Sequence, residues 1–344
     1  PRGRLAADFT GKDSPGRMAL LGTATARAHP NIALVKYWGN RDQALRLPSN
    51  ASLSMNLAGL ETVTTVTFDT ALAGDRFTLG GQPQTGAAMT RVAAQLDLVR
   101  ARAGLAAHAS VESASNFPAG AGIASSASAF AALSVAAAAA AGLVLSEAEL
   151  SALARRGSGS AARSVPGGFT EWRTGTGDAD SYALTVAPPD FWPLADVIAV
   201  LSAVHKTTGS TEGHALADTS PLQAGRVADA GRRLAACRAA LLARDFAALA
   251  DVIEQDSNIM HAVMMTSVPP LFYWEPLTLA VMKAVTAWRT EGLPVAYTID
   301  AGPNVHCLCP AAYAPTVSER LMALGVTRTI TALPGGPASL TGRA

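Results

Sequence analysis

The chain has 344 residues, 49% of them hydrophobic, which is enough to bury the core of two domains or of two lobes of one compact unit. Its 27 lysines and arginines nearly balance 26 aspartates and glutamates, which argues against nucleic acid or an anionic membrane surface as the main partner. The cysteines, Cys237, Cys307 and Cys309, lack the spacing of a zinc site, so we expect free thiols in a reducing compartment. Because the chain has almost no net charge, any anion-binding site must be a local cluster of residues.

Residues 1–20 mix Arg, Gly, Pro and Asp and contain no apolar run long enough for a signal peptide or a membrane span. We expect this segment to be a disordered extension and the protein to be cytoplasmic. The composition changes around Pro188-Pro189 and Trp192-Pro193, which is typical of a boundary between lobes. The predicted organisation is an N-terminal lobe over 21–192 and a C-terminal lobe over 193–344.

The first motif is Asn31-Ile-Ala-Leu-Val-Lys-Tyr-Trp-Gly-Asn-Arg-Asp42. Its alternation predicts part of one strand that begins at Thr23 and enters a turn at Gly39. Lys36 stands at the end of the apolar segment, where a lysine is more often a surface cation lying over apolar neighbours than a catalytic group.

The next segments alternate between strand and helix patterns. A strand is predicted over 61–68, a hairpin turn at Gly80-Gly81, an amphipathic helix over 88–104 and a strand over 109–115. We therefore expect the α+β class, with a mixed or antiparallel sheet covered by helices.

The second motif, from Asn116 to Ser128, is rich in glycine and serine and precedes an Ala-rich helix over 127–141. Gly120 and Gly122 would let backbone N–H groups approach an anion at the positive end of that helix, and Ser125 and Ser126 would add hydroxyl donors. A Ser-capped helix behind a Gly-rich turn is an equally good interpretation of the loop alone.

The third motif follows a helix that Ser146 caps. It places Ser158, Ser160 and Arg163 close together among glycines, which suits a carboxylate or phosphate because a guanidinium binds either in a bidentate manner. A flexible loop with a surface arginine is the alternative.

Three further segments lie in the C-terminal half. The loop His205-Lys-Thr-Thr-Gly-Ser-Thr-Glu-Gly-His214 is rich in hydroxyls, although a plain turn before a helix cap would look similar. Residues 221–255 predict two helices, and Asp256 and His261 after them can be structural. A strand then ends at Asp300, before Gly302-Pro303, where an aspartate can be a simple turn cap.

The spacing of Pro118, Gly122, Ser125 and Ser126 resembles the phosphate loop of the GHMP kinase superfamily. Together with the Lys36, Arg163 and Asp300 motifs, in the same order along the chain, it is similar to the mevalonate diphosphate decarboxylase family. The resemblance implies a GHMP kinase fold, with an N-terminal lobe like ribosomal protein S5 domain 2 and a C-terminal α/β-plait, ferredoxin-like lobe. It also implies a homodimer that uses ATP and Mg²⁺.

The resemblance implies a role for each motif. Asp300, Lys36 and Arg163 would be catalytic, with Asp300 as the base near the substrate's tertiary hydroxyl and Arg163 on its carboxylate. The implied substrate-binding residues are Tyr37, Asn40, Ser158, Ser160, Arg163 and Ser210. The implied ATP phosphate-binding residues are Gly120, Gly122, Ser125, Ser126, Lys206 and Thr211, with Ser125 as a candidate Mg²⁺ ligand.

Asn40 stands where the family has a second lysine that faces the substrate's phosphates. An asparagine can donate a hydrogen bond but carries no charge, so we expect mevalonate 5-phosphate as substrate and isopentenyl phosphate as product. Arg41 or Lys206 could replace the missing charge, and mevalonate 5-diphosphate is the alternative substrate. A mevalonate 3-kinase-like enzyme and a non-catalytic ligand sensor are weaker alternatives.

Overall fold

A computed structural model of the protein describes residues 20–117, 125–202 and 209–343. Gly120, Gly122 and Lys206, three of the predicted phosphate-binding residues, lie outside these ranges, as does most of the N-terminal extension.

The described residues form both strands and helices, as expected of the α+β class. The strands are β1 Leu20–Ala28, β2 Asn31–Val35, β3 Asn40–Asp42, β4 Leu47–Pro48, β5 Ser52–Ala58, β6 Thr62–Asp69, β7 Arg76–Leu79, β8 Gln82–Pro83, β9 His108–Ser115, β10 Phe169–Trp172, β11 Ala183–Ala187, β12 Leu194–Val200, β13 Ala296–Thr298, β14 Val305–Pro310, β15 Arg328–Pro334 and β16 Ser339–Arg343. The α-helices are α1 Gly86–Ala103, α2 Ser125–Ala140, α3 Glu147–Gly157, α4 Ser210–Leu216, α5 Gln223–Ala243, α6 Phe246–Met265, α7 Pro276–Thr290 and α8 Ala314–Ala323.

Two large sheets organise the fold. The first has six strands in the order β16-β1-β6-β9-β7-β8. The second runs β11-β10-β5-β15-β12-β14-β13, with β2 also paired to β5, and a small ribbon joins β3 to β4. Most pairs are antiparallel, and β7 with β9 is parallel, so the expectation of a mixed or antiparallel sheet is confirmed.

The predicted strand through the first motif is in fact two strands. β1 lies in the first sheet and β2 in the second, and His29-Pro30 separates them. A proline has no N–H to donate to a ladder, so the chain leaves one sheet there and enters the other. The break places Lys36 just beyond the end of β2, in the second sheet's part of the chain.

Helix α2 packs against β1 and β6 and is almost completely buried. Alanine side chains allow this close approach, and Gly22 on β1 completes it, since a Cβ there would lie 2.4 Å from the carbonyl oxygen of Ala140. This tight packing fixes the N-terminal end of α2 relative to the sheet.

The two halves of the chain share both sheets. Strand β15 pairs with β5, and β16 pairs with β1. The two predicted helices of 221–255 are present as α5 and α6. All three cysteines are buried and free, as expected. Among the described residues no helix is both long and apolar enough to cross a membrane. The homodimer and the cytoplasmic location stay predictions.

Candidate active site

One cavity of about 580 Å³ collects most of the predicted site residues. This volume is within the usual range for small-molecule sites. Its lining includes ten of those residues: Lys36, Tyr37, Ser125, Ser126, Ser158, Ser160, Arg163, Ser210, Thr211 and Asp300. Residues separated by more than 250 positions thus meet at one site.

The Lys36 ammonium donates to the Asp300 carboxylate at 2.6 Å. Lys36 is 1% exposed, whereas the Asp300 side chain is 26% exposed and faces the cavity. The lysine therefore pairs with the aspartate from the buried side and leaves part of the carboxylate open to a ligand.

Helix α6 brings this pair together. It packs against both β2 and β13, and its Asp256 accepts the backbone N–H of Lys36 at 2.6 Å. The next residue, Ser257, accepts the N–H of Ile299 at 3.0 Å. Two consecutive residues of one helix thus hold the two chain segments that carry the ion pair.

Asp256 is itself fixed by a buried ion pair. The Arg233 Nε donates to its second oxygen at 2.7 Å, and both side chains are buried. Arg226 donates to the backbone carbonyls of Lys36 and Trp38, at 2.8 and 3.0 Å. The main chain after β2 is therefore anchored by α5 and α6.

Basic groups around Asp300 keep its carboxyl ionised. Burial acts to raise the pKa of Asp300, but Lys36, His306 and Arg163 outweigh it and lower the pKa below its ordinary value. By contrast, burial lowers the pKa of His261 to about 3, so that imidazole is neutral. Its Nε2 lies 3.3 Å from the Ile299 carbonyl oxygen, and this contact supports the structural role left open for it.

Arg163 is buried beside the cavity without a carboxylate partner among the described residues. Its Nη1 donates to Ser52 at 2.6 Å and its Nε to Asn31 at 3.3 Å. Burial lowers the pKa of Arg163 to about 10, against the opposing charge of Asp300, so the guanidinium stays protonated at neutral pH. A buried cation held by neutral groups can accept an anionic ligand at low desolvation cost.

A row of hydroxyls connects the second motif to the third. The Ser126 Oγ lies 3.2 Å from the Ser158 Oγ, which lies 3.4 Å from the Ser160 Oγ. Ser125 and Ser126 begin α2, so the positive end of that helix opens on the same cavity. Gly159 fits against Tyr37, since a Cβ there would lie 2.5 Å from the ring.

Tyr37 is packed between aromatic rings. Its ring stacks on His214, with centroids 4.1 Å apart, and meets Trp172 edge to face. The His214 Nδ1 accepts the Gly39 N–H at 3.0 Å, and burial lowers its pKa to about 3. The neutral imidazole therefore carries its proton on Nε2, and His214 lines the cavity.

Asn40 does not line the cavity with the other predicted residues. Its Oδ1 accepts the Tyr37 hydroxyl at 2.5 Å, and its Nδ2 donates to Gln43 at 2.8 Å. Arg41, the suggested replacement cation, is exposed and donates to the carbonyls of Thr174 and Gly175. Neither side chain supplies charge to the described part of the site.

Two arginines that the sequence interpretation did not single out line the cavity instead. Arg46 donates through Nε to the Arg156 carbonyl at 3.0 Å, and Arg91 donates to the Gly157 carbonyl at 3.1 Å. Neither forms an ion pair with a described residue. A lone arginine in a polar turn or on a helix gives no local signal, so only the fold identifies them.

The described residues contain no cluster of three or more His, Cys, Asp or Glu side chains that could hold a metal. Mg²⁺ is usually held by one or two protein oxygens together with substrate phosphates and water. The Ser125 hydroxyl at the start of α2 and the carboxylates of Glu212 and Asp300 on the cavity wall fit such a site.

Two family models match the chain. The model for the diphosphomevalonate decarboxylase-like N-terminal domain matches residues 28–183, and the model for the mevalonate 5-diphosphate decarboxylase C-terminal domain matches residues 196–332. The predicted lobe boundary lies between these ranges and stays a prediction.

Individual relatives agree with these matches. The diphosphomevalonate decarboxylase of Candida albicans is 39% identical over 299 residues, which cover 82% of this chain and 83% of that protein. The crystal structure of mevalonate diphosphate decarboxylase from Staphylococcus aureus is 37% identical, with a TM-score of 0.90, and covers 93% of this chain and 98% of its own. A structure of MDDEF in complex with MVAPP, AMPPCP and magnesium is also 37% identical, with a TM-score of 0.88 and the same coverage.

These matches confirm the predicted GHMP kinase fold and favour the diphosphate relatives over the monophosphate branch that Asn40 had suggested. The chain belongs to the diphosphomevalonate decarboxylase family of the GHMP kinase superfamily.

Proposed function

We propose that this protein catalyses the ATP-dependent decarboxylation of mevalonate 5-diphosphate, giving isopentenyl diphosphate, ADP, phosphate and CO2. The observation that carries the proposal is the Lys36–Asp300 pair at 2.6 Å in the same cavity as the buried, carboxylate-free Arg163. The site thus combines a base with a receptor for the carboxylate that is lost.

Asp300 is proposed to orient and deprotonate the tertiary 3-hydroxyl as ATP phosphorylates it. A base for this step must be ionised before the substrate arrives, and the surrounding cations keep the pKa of Asp300 low. Lys36 stabilises the carboxylate and the charge that develops on the transferred phosphoryl group.

Arg163 is proposed to hold the substrate carboxylate during the second step. The C–O bond to the 3-phosphate breaks, and the electrons of the C–C bond to the carboxylate form the alkene as CO2 leaves. Ser52 and Asn31 hold the guanidinium in place, so its orientation precedes substrate binding.

The nucleotide phosphates are proposed to lie at the start of α2, near Ser125 and Ser126, and to be approached by Ser210 and Thr211 of α4. The relative that holds AMPPCP and magnesium supports this use of ATP and Mg²⁺. When bound, Mg²⁺ would neutralise phosphate charge, with Ser125 and the cavity carboxylates as its candidate ligands. A helix N-terminus lined by hydroxyls is suited to phosphate.

The diphosphate replaces the monophosphate as the proposed substrate. The monophosphate was inferred from the loss of a cation at position 40, but Asn40 bonds to Tyr37 and Gln43 behind the cavity wall. Arg46 and Arg91 on that wall supply the positive charge that a second phosphate needs.

The test is an assay of CO2 release with ATP and either mevalonate 5-diphosphate or mevalonate 5-phosphate, with ADP measured in parallel. We expect one CO2 per ADP and a higher kcat/KM for the diphosphate. ADP without CO2 would identify a kinase, and a preference for the monophosphate would overturn the proposed substrate.

A further inference from the structure

We propose that Arg46 is a specificity-determining residue that binds the terminal phosphate of the diphosphate substrate, and so replaces the lysine that the resemblance expects at position 40. This inference rests on the proposed function, because it concerns the phosphate end of that substrate.

Asn40 and Arg46 belong to one short hairpin. In the β3–β4 ribbon Asn40 lies opposite Pro48 and Asp42 opposite Leu47, and Arg46 immediately precedes β4. A cation carried at position 46 therefore lies on the return arm of the hairpin that would have carried it at position 40. The ribbon can supply charge to the neighbourhood of Tyr37 from either arm.

The Arg46 guanidinium is available to an anion. Only its Nε bonds to another described residue, the Arg156 carbonyl at 3.0 Å, and the side chain forms no ion pair within the described part of the chain. It is half-buried and lines the cavity beside Tyr37 and Ser158. The Nε bond holds the planar group still and leaves the two terminal nitrogens for a phosphate.

Like charges converge around this guanidinium. Among the nearby charges, Arg46 has the largest effect on the pKa values of Tyr37 and His214. It opposes the rise that burial causes in the pKa of Tyr37, and it adds to the fall that burial causes in the pKa of His214. After burial, its charge also lowers the pKa of Arg91. Arg46 and Arg91 both line the cavity, and neither is paired with a described carboxylate. Two such neighbouring cations form a site that an anion would stabilise.

The backbone of Arg46 is held in an unusual conformation. Its φ is 50°, and among the described non-glycine residues only Arg244, which caps the C-terminus of α5, also has a positive φ. Left-handed residues are common at helix caps, but Arg46 is in a turn. The Asp42 carboxylate fixes that turn by accepting the Leu45 N–H at 2.8 Å. Strained residues of this kind are often found where a ligand is gripped.

The test is calorimetric titration of the full chain with mevalonate 5-diphosphate, mevalonate 5-phosphate and inorganic pyrophosphate. Arg46→Asn removes the charge, and asparagine tolerates the left-handed conformation. Arg46→Lys keeps the positive charge but loses the planar guanidinium and its bidentate hydrogen bonds. Arg41→Asn is the matched control, because it removes an exposed arginine from β3 of the same hairpin. Thermal unfolding checks that each variant is folded.

We expect Arg46→Asn to weaken binding of the diphosphate and of pyrophosphate about tenfold to a hundredfold, and binding of the monophosphate less than threefold. Arg46→Lys should give a smaller loss with the same selectivity, and Arg41→Asn should change each Kd less than twofold. Equal losses for both mevalonate esters, or a loss no larger than in Arg41→Asn, would overturn the role of Arg46.

CO2 release is measured separately on the same proteins. A parent that binds the diphosphate but releases no CO2 with ATP would overturn the proposed function, and the binding comparison would still decide the role of Arg46.

Discussion

The backbone N–H of Lys36 donates to Asp256 at 2.6 Å, while the Lys36 side chain reaches Asp300. The lysine is thus held at its main chain by α6 and at its ammonium by the segment after β13. Because Ser257 holds Ile299 from the same turn of α6, the relative position of Lys36 and Asp300 depends on that one helix.

Replacing the proposed base should remove turnover without removing binding. Asp300→Asn keeps the size of the side chain but cannot accept the proton, so kcat should fall by about two to four powers of ten while the Kd for ATP and substrate changes little. Asp190→Asn, which neutralises an exposed aspartate in the turn after β11, is the matched comparison and should retain kcat within tenfold. Single-turnover CO2 release measures both, and an Asp300→Asn rate within tenfold of the parent would disprove the assignment.

The pH dependence of kcat/KM should show how the Lys36–Asp300 pair sets the ionisation of Asp300. The pKa of Asp300 is lowered in the folded protein, so the pair stabilises the fold above the ordinary aspartate pKa of about 4, and this contribution is lost as pH falls through the lowered value. In Lys36→Met the effect of burial is less opposed, so the acid limb of kcat/KM should move to higher pH, together with a lower maximum rate.

The control for that profile is Lys283→Met, which removes an equal charge from the exposed face of α7. Its acid limb should coincide with that of the parent. Coincident limbs in Lys36→Met and the parent would show that the ion pair does not set the ionisation of Asp300.

The buried pair below Lys36 should matter for stability and rate together. Asp256→Asn removes the buried carboxylate that lies 2.7 Å from the Arg233 Nε and leaves Arg233 only its pair with the partly exposed Asp229. Breaking a buried pair costs about 3–5 kcal/mol of unfolding free energy, and the remaining pair with Asp229 reduces this loss. The substitution also weakens the bond to the Lys36 N–H, so the surviving folded protein should have a lower kcat. Denaturant unfolding and CO2 release measure the two effects.

Asp229→Asn provides the matched variant, since Asp229 pairs with the same Arg233 from the exposed side. It should lose far less stability and keep the parent rate. Equal effects of the two substitutions would mean that burial of Asp256 is not what makes its contact important.

The motifs could be predicted because each depends on local residue types. Glycines and serines before an Ala-rich helix, or an arginine among small residues, indicate an anion site wherever they fold. The break at His29-Pro30 was missed because alternation continues across it and only the partner strands differ. Arg46, in the β3–β4 turn, and His214, on α4, line the cavity. The Asn40 amide is hydrogen-bonded to Tyr37 and Gln43 instead. Such contacts depend on tertiary packing, which a single sequence does not display.

The orientation of the Arg163 fork should be as important as its charge. Its Nε and Nη1 are engaged by Asn31 and Ser52, so the planar group presents a fixed edge to the cavity. Arg163→Lys keeps a positive charge but loses both the fork and this orientation, so kcat/KM should fall at least tenfold, with a larger fall in CO2 release than in ATP binding. Arg173→Lys, on an exposed residue just after β10, should leave both unchanged. If Arg163→Lys matched the parent in kcat/KM, the arginine would contribute only charge, and the proposed bidentate grip on the substrate carboxylate would be wrong.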